Sequence, residues 1–235
     1  MADVNPNQDL RFKEIMRRML PGSYIMLFVY VSCKLIAGSM SLFGQKLMNL
    51  TDGMGDWIRF SFLMVAVYFI GYVVNILASL MERMIIYKIF KIHRPSRDIL
   101  NGDGHYQVSN PKRIIKVASV KTDTSGKVGQ HQAFEALRYV KSQISRRDNL
   151  VEDMYYQSIM ARNLLCAHLI ANVVFFIFCD VDRCCARCIF LLISALLLVL
   201  FWHEWRRKNF VYVRNIFEEY LKRGNKVDRI KIIIL

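Results

Sequence analysis

The residues of this chain that could carry chemistry lie within its most apolar stretches. Lys34 stands inside the apolar stretch 22–43, and a charged side chain at the centre of a bilayer costs about 2.5 to 3.5 kcal/mol. We expect this lysine to face a helix-bundle interior, a wet cavity or a partner subunit. The alternative is a shifted span, in which Lys34 lies near an interface and its stem reaches the headgroups.

Two stripes of polar side chains recur at helical spacing in other apolar stretches. They consist of Tyr68, Tyr72, Asn75 and Ser79 on one stretch, and of His168 and Asn172 on another. Residues three or four apart share a helix face, so each stripe points in one direction. Such side chains hydrogen-bond neighbouring helices, for roughly 0.6 to 2 kcal/mol each, or line a water-filled path or ligand site. With Lys34, they are the candidate pore-lining or subunit-contact residues.

Three of the six cysteines form a Cys-Cys-x-x-Cys cluster of Cys184, Cys185 and Cys188. A tetrahedral zinc site needs a fourth ligand, which only Asp180 or Asp182 could supply from nearby. We therefore expect no metal here, and instead a disulfide to another subunit or free thiols. If the cluster faced the cytoplasm, these cysteines would be candidates for acylation.

Motifs typical of enzymes are missing from the sequence. It contains no Gly-rich phosphate loop, no Ser-His-Asp arrangement and no paired-carboxylate site. Arg162 and His168 match the Arg-x(4 to 6)-His spacing of HEPN ribonucleases, but His168 lies inside an apolar segment that RNA would not reach. We therefore expect a protein that is not an enzyme, with no cofactor and no small-molecule substrate.

The elements that must position these residues are long apolar helices. The chain has 235 residues, of which 54% are hydrophobic and 12% aromatic, which excludes a disordered protein. A bilayer core of about 30 Å requires roughly 17 to 25 apolar residues per helix. Four stretches meet or approach this length, and four buried helices would leave a soluble chain too little polar surface. The stretches are 22–43, 58–80, 163–181 and 188–202.

The distribution of basic residues predicts the orientation of these stretches. Of the 33 Lys and Arg residues, 28 lie before the first stretch, between the second and third, or after the fourth. Because cytoplasmic flanks are enriched in Lys and Arg, both termini and the middle segment are predicted to be cytoplasmic. The basic residues contact anionic headgroups or bind a nuclease or ribonucleoprotein. The contact candidates are Lys112, Arg113, Lys116, Lys121, Arg206, Arg207 and Lys208.

The sequence thus predicts an all-α membrane protein with four transmembrane helices in two hairpins and a small cytoplasmic α(+β) layer. The segments are an amphipathic helix (1–21), a first hairpin (22–80), a cytoplasmic segment (81–162), a second hairpin (163–203) and a cytoplasmic helix and strand (204–235). Pro21 predicts the start of a new helix. The second span is expected to continue as a helix to His93.

Within the cytoplasmic segments, residues 98–130 contain short β-prone runs, which fit a small hairpin or a mobile loop. Residues 131–162 regain helical periodicity, with a break near residues 147–149. The final helix is expected to end at Gly224. The residues Val227 to Leu235 predict a strand, because they first alternate and then become purely apolar.

Four short sequences resemble a known group of membrane proteins. They are Met19-Leu20-Pro21-Gly22, Tyr68-Phe69-Ile70-Gly71-Tyr72, Arg94-Pro95-Ser96 and Ala161-Arg162-Asn163. The arrangement resembles small multi-spanning proteins of bacterial antiviral islands, and is similar to the four-span accessory proteins found beside type VI-B CRISPR nucleases. The resemblance implies a membrane accessory or effector, acting as a homo-oligomer that modulates a nuclease or perturbs the inner membrane. The alternatives are a small channel or transporter, and a scaffold that tethers a soluble enzyme.

Overall fold

The protein is described by a computed structural model, which covers residues 6–32, 55–103, 106–118, 122, 126–144, 149–178 and 184–234. Helices account for almost all of these residues. They are α1 (Pro6–Ser32), α2 (Asp56–Met81), which continues as a π-helical segment (Glu82–Ile89), α3 (Pro95–Asn101), α4 (Pro111–Val117), α5 (Gln130–Gln143), α6 (Asn149–Phe178) and α7 (Cys184–Ile234). The chain divides into two compact units. Unit 1 comprises Met1–Glu82 and Ile159–Trp205, and unit 2 comprises Arg83–Ser158 and Arg206–Leu235.

Three helices are long and apolar enough to cross a membrane: Asp56–Ile89, Val151–Ile177 and Cys188–Arg223. They contain the second and fourth predicted stretches and residues 163–177 of the third. Of the first stretch, 22–43, residues 33–43 lie outside the described residues. The protein therefore has the helices of a membrane protein, and a fourth span stays a prediction.

Helix α1 corrects the prediction at Pro21, because it runs through the proline without ending. Packing against α2 explains this continuity, since Pro21 and Gly22 are both buried. A Cβ on Gly22 would lie 2.1 Å from the backbone oxygen of Val67, and one on Gly71 would lie 1.5 Å from that of Arg18. The two backbones touch there, and this contact supports α1 despite the hydrogen bond that proline removes.

Unit 1 has an apolar core between these helices and the membrane-type parts of α6 and α7. Its buried members include Ile25 on α1, Val74 and Ala78 on α2, Phe175 on α6 and Phe190 on α7. The rings of Phe175 and Phe190 stack with centroids 4.1 Å apart. The core therefore brings four helices together.

Unit 2 is helical in two places where the sequence has β-prone residues, part of residues 98–130 and the C-terminal segment. The β-prone run 114–120 begins in helix α4, because Pro111 occupies the first turn and the Asn110 side chain accepts a hydrogen bond from the Arg113 backbone N–H, at 3.1 Å. Thr122 and Val128 form an isolated antiparallel bridge, which is the only β-pairing in the described part of the chain.

The predicted C-terminal strand is also wrong, since α7 continues past Gly224 to Ile234. A growing helix gains one hydrogen bond for each residue it fixes, whereas a strand needs a partner edge. The described residues provide no such edge. The predicted continuation of the second span is confirmed as far as Ile89, four residues short of the expected end at His93, and α5 and α6 cover most of residues 131–162.

The core of unit 2 is apolar and is formed by short helices packed around the second half of α7. Its most buried side chains are Ile99, Ile114, Val128, Ala133, Ile216 and Phe217. Its polar residues lie outside this core, with the exception of Ser96 and Ser158 among the described side chains.

Candidate functional site

A buried histidine forms the centre of the first polar cluster in unit 1. His168 on α6 is completely buried. Its Nδ1 lies 2.8 Å from the Tyr24 hydroxyl of α1, and its Nε2 lies 3.0 Å from the backbone oxygen of Ser194 on α7. The Ser194 hydroxyl donates to Asn172 Oδ1 at 2.6 Å, and the Asn172 amide donates to the His168 backbone oxygen at 2.7 Å. We call Tyr24, His168, Asn172 and Ser194 the histidine cluster.

The backbone oxygen of Ser194 can only accept a hydrogen bond, so the His168 tautomer with its hydrogen on Nε2 donates to Ser194 and accepts from Tyr24 at Nδ1. Nε2 also lies 3.2 Å from the Asn172 amide nitrogen, and the tautomer decides which of these contacts is a hydrogen bond. The Ser194 hydroxyl lies 3.1 Å from Nε2 but gives its hydrogen to Asn172. His168 therefore does not act as a base toward Ser194, and the pair lacks the arrangement of an activated nucleophile.

Aromatic rings enclose the histidine cluster. The Phe28 and Phe201 rings approach the His168 ring edge-on, with centroids 5.1 and 5.6 Å away. The Tyr24 ring contacts both phenylalanines. These rings form an aromatic wall beside the buried His168 ring, while Tyr24 and Asn172 are partly buried. The cluster joins α1, α6 and α7.

A second cluster contains a partly buried charge pair between α6 and the first residue of the π-helical segment that continues α2. Arg162 Nη1 lies 2.9 Å from Glu82 Oε2, and Arg162 Nη2 donates to Asn75 Oδ1 at 3.2 Å. The Asn163 amide, completely buried, donates to the same Asn75 oxygen at 3.1 Å. The Arg162 Nε is buried and has no hydrogen-bond partner among the described residues. We call Asn75, Glu82, Arg162 and Asn163 the arginine cluster.

A third group lies on the outside of unit 1 and connects α1 to α2. The Arg18 guanidinium donates to the Tyr68 hydroxyl and to Glu14 Oε1, the latter at 2.6 Å. It also lies over the Tyr68 and Tyr72 rings, 5.4 and 5.3 Å from their centroids. Glu14 is 48% and Tyr72 43% exposed. We call Glu14, Arg18, Tyr68 and Tyr72 the outer polar patch.

The structure therefore distributes the predicted polar stripe over separate contacts. Tyr68 and Tyr72 belong to the outer polar patch and Asn75 to the arginine cluster. Ser79 instead donates back to the Asn75 backbone oxygen of its own helix, at 2.9 Å. His168 and Asn172 share the histidine cluster. Lys34, proposed as their companion, lies outside the described residues.

The predicted cysteine cluster lies at the start of α7. The backbone of Cys184 and Cys185 is helical, and their side chains lie outside the described part. Cys188 is an exposed free thiol. In the described residues, no three His, Cys, Asp or Glu side chains are grouped as metal ligands would be.

The predicted basic contacts of unit 2 fall into two groups. Lys112, Lys116 and Arg207 are exposed, and Arg113 is partly buried. Arg206 donates to the His93 backbone oxygen at 3.0 Å and lies 3.8 Å from Asp98, while Lys208 donates to Gln157 at 2.7 Å. Arg206 and Lys208 thus interact with other residues of unit 2. Lys121 lies outside the described residues.

Sequence reasoning missed the partners that complete each cluster. Tyr24 and Ser194 stand in apolar runs, where a single tyrosine or serine carries no signal. Arg162 and Glu82 are separated by 80 residues, and nothing in their spacing joins them. Charged and amide side chains are rare inside apolar helices, so their presence indicates candidate functional residues. It does not indicate which of these residues hydrogen-bond each other.

Comparisons with known proteins identify no relative of this chain. No protein-family model matches it, and neither a curated protein nor a solved structure matches it. Its function must therefore be argued from the geometry of the two units.

Proposed function

We propose that this chain is a multi-pass inner-membrane protein that acts without catalysis, as an accessory or effector of bacterial antiviral defence. The observation that carries the membrane part is the outer surface of unit 1. Only 17% of the apolar window is buried in α2 and in α7, against 50% in α6. Apolar surface exposed to water costs roughly 25 cal/mol per Å², and lipid removes that cost.

The non-catalytic part is supported by the histidine cluster. Every side-chain hydrogen bond of His168 is directed at another member of the cluster, and the ring is completely buried. A substrate would have to displace the aromatic wall before it reached the ring. The cluster thus holds helices together by hydrogen bonds, which are worth on the order of 1 kcal/mol each in membrane bundles.

Assembly into a homo-oligomer is supported by the outer polar patch. The patch places Glu14 and Arg18 on the outside of unit 1, next to the apolar helix α2. Charged groups beside lipid are unfavourable, so contact with a second copy or with an aqueous axis suits this face. The same face supports the alternative of an ion-conducting pore.

The defence role is supported by the sequence resemblance, and the cytoplasmic termini by the distribution of basic residues. A phage-challenge assay tests the role in cells that carry the gene with or without its genomic neighbours. We expect protection with the wild type and with Ser194→Ala, because Ser194 does not act as a nucleophile. Leu196→Arg, which places a charge on the exposed face of α7, is expected to abolish protection.

Immunoblots of the membrane fraction control for abundance in these assays. Loss of protection in Ser194→Ala at unchanged abundance and unchanged thermal stability would contradict the non-catalytic proposal. No protection by the wild type would rule out the defence role, and ion flux in liposomes would then identify a channel. Capture of a soluble nuclease by the purified protein, without flux, would identify a tethering scaffold.

A further inference from the structure

The segment 83–91, which opens unit 2, combines exposed cations with exposed apolar side chains. Met84 and Ile85 are 53% and 41% exposed, and Ile89 and Phe90 are each 66% exposed. Arg83, Lys88 and Lys91 are exposed among them. Ile86 is the buried residue on the opposite side.

The local backbone explains why these side chains share a face. Residues Glu82–Ile89 are π-helical, and the Phe90 N–H donates to the Ile85 backbone oxygen, five residues earlier, at 2.9 Å. A turn of this helix therefore contains four to five residues, roughly one more than an α-helix. Met84 and Ile85 consequently lie one turn before Lys88 and Ile89.

The length of the preceding helix places the segment at a defined depth. The continuous helix Asp56–Ile89 has 34 residues, which at 1.5 Å per residue correspond to about 50 Å. A bilayer with its headgroup regions is about 40 to 45 Å thick. A helix that enters near Asp56 therefore reaches the opposite headgroup region at about the position of this segment.

We propose that residues 83–91 bind the anionic phospholipid interface, with Arg83, Lys88 and Lys91 on the phosphates and with Met84, Ile85, Ile89 and Phe90 among the upper acyl chains. In the described part of the chain, none of these three cations has a hydrogen-bond or ion-pair partner. Basic residues next to apolar ones are the composition that interfacial helices use.

Charge argues for lipid rather than a second copy as the occupant. A symmetric contact between two copies would bring the three cations of each against those of the other, and no acidic residue occurs between Arg83 and Lys91. Unit 2 as a whole contains 23 Lys and Arg against 10 Asp and Glu, a formal net charge of +13. An anionic surface complements this charge.

The test uses the full-length protein in nanodiscs that contain brominated phospholipids, which quench nearby tryptophans. Phe90→Trp adds a reporter to the segment, and Tyr139→Trp adds a matched reporter to an exposed site on α5. We expect the added fluorescence at position 90 to be quenched strongly and that at position 139 weakly. Equal quenching at both positions would overturn the proposal.

Lipid composition and charge test the anionic preference. Quenching at position 90 should be stronger in phosphatidylglycerol than in phosphatidylcholine alone. Combining Arg83→Gln, Lys88→Gln and Lys91→Gln should lower the ratio of inserted to free segment about 100-fold, at about fivefold per cation. The matched control neutralises Lys112, Lys116 and Arg138 and should have little effect. Equal effects of the two triple variants would overturn the proposal.

The inference rests on the proposed membrane insertion, and the same samples separate the two. The native Trp57 and Trp202 report insertion of unit 1, because Trp57 is 84% exposed and Trp202 lies on α7. If the native tryptophans are quenched but the Trp at position 90 is not, only the proposal that residues 83–91 bind lipid is overturned. Unquenched native tryptophans would overturn the membrane proposal itself.

Discussion

The two units of this protein distribute polar and apolar side chains in opposite ways. Unit 1 buries His168, Asn163 and Ser194 and exposes large apolar residues such as Val65 and Leu192, which are 69% and 70% exposed. Unit 2 buries apolar residues such as Ile114 and Ile216 and carries +13 of the net charge of +14. The difference teaches that one chain can contain two opposite patterns, an exposed apolar surface with polar groups inside in unit 1 and a charged surface with an apolar core in unit 2.

The two ion pairs provide the strongest way to test this comparison. Arg162→Leu in unit 1 leaves Glu82 partly buried without its partner, and should lower the free energy of unfolding by about 3 to 5 kcal/mol. Arg206→Leu in unit 2 should cost about 1 kcal/mol or less, because its guanidinium lies 3.8 Å from Asp98, beyond hydrogen-bond distance, whereas Arg162 lies 2.9 Å from Glu82. Thermal unfolding in detergent measures both.

The double variant Arg162→Leu/Glu82→Leu is the control for this pair. It should recover a large part of the stability, because no isolated charge remains. Equal losses from Arg162→Leu and Arg206→Leu would contradict the contrast between the units.

The next largest effect is expected from placing a charged side chain on the outer surface of each unit. Leu196 on α7 is 57% exposed, and Leu196→Arg should raise the free energy of membrane insertion by about 2.5 to 3.5 kcal/mol. Val117→Arg, at a 39% exposed site of unit 2, should change stability by about 0.5 kcal/mol or less. Carbonate extraction of membranes measures the inserted fraction. Efficient insertion of Leu196→Arg would place that face away from lipid.

The close contact of α1 and α2 gives the third test. Gly71→Ala would force a Cβ to 1.5 Å from the Arg18 backbone oxygen, so the helices must separate. We expect a loss of about 2 to 3 kcal/mol. Gly55→Ala is the matched control, since nothing lies within 4 Å of its Cβ position. A thermal-unfolding series compares them, and similar midpoints for the two variants would refute the contact.

The smallest effect concerns Asp98, in unit 2. Burial raises the pKa of this carboxyl above its ordinary value of 3.8, although His93 and Arg206 lower it in part. The folded state therefore binds the proton more tightly than the unfolded state does. As the pH falls through the raised pKa toward 3.8, the wild type should gain stability relative to Asp98→Asn, by less than about 1 kcal/mol. Denaturant titrations across this pH range measure the difference, and an opposite slope would contradict it.

How far the sequence predicts this molecule depends on whether the signal is local. Helical spacing is local, and it identified the helix continuing past Met81 and those covering residues 131–162. The polar stripe could also be recognised in the sequence, because amide and hydroxyl side chains are rare in apolar runs. The hydrogen-bond partner of each stripe residue could not be predicted. Tyr24 and His168, for example, are 144 residues apart, and only the folded bundle brings them together.

The wrong predictions share a physical cause. Pro21 and the β-branched residues near Ile234 follow local rules that the surrounding structure overrides. Close packing on α2 keeps α1 helical through Pro21. At the C-terminus, extending the long helix α7 is more favourable than forming an unpaired strand. At α4 the deciding signals are themselves local, because the Asn110 cap and Pro111 start a helix despite the β-prone residues that follow.

The bare backbone contact at Gly71 has a consequence for how α1 and α2 assemble. The Arg18 carbonyl lies so close to Gly71 that not even a methyl group fits between the two backbones there. Any shift of α1 that placed a side chain of α2 at this point would force the helices apart, so the contact favours the present axial alignment. The axial position of α1 determines where both Arg18 and Tyr24 lie along the neighbouring helices. The contact at Gly71 therefore affects which polar groups these two residues can reach.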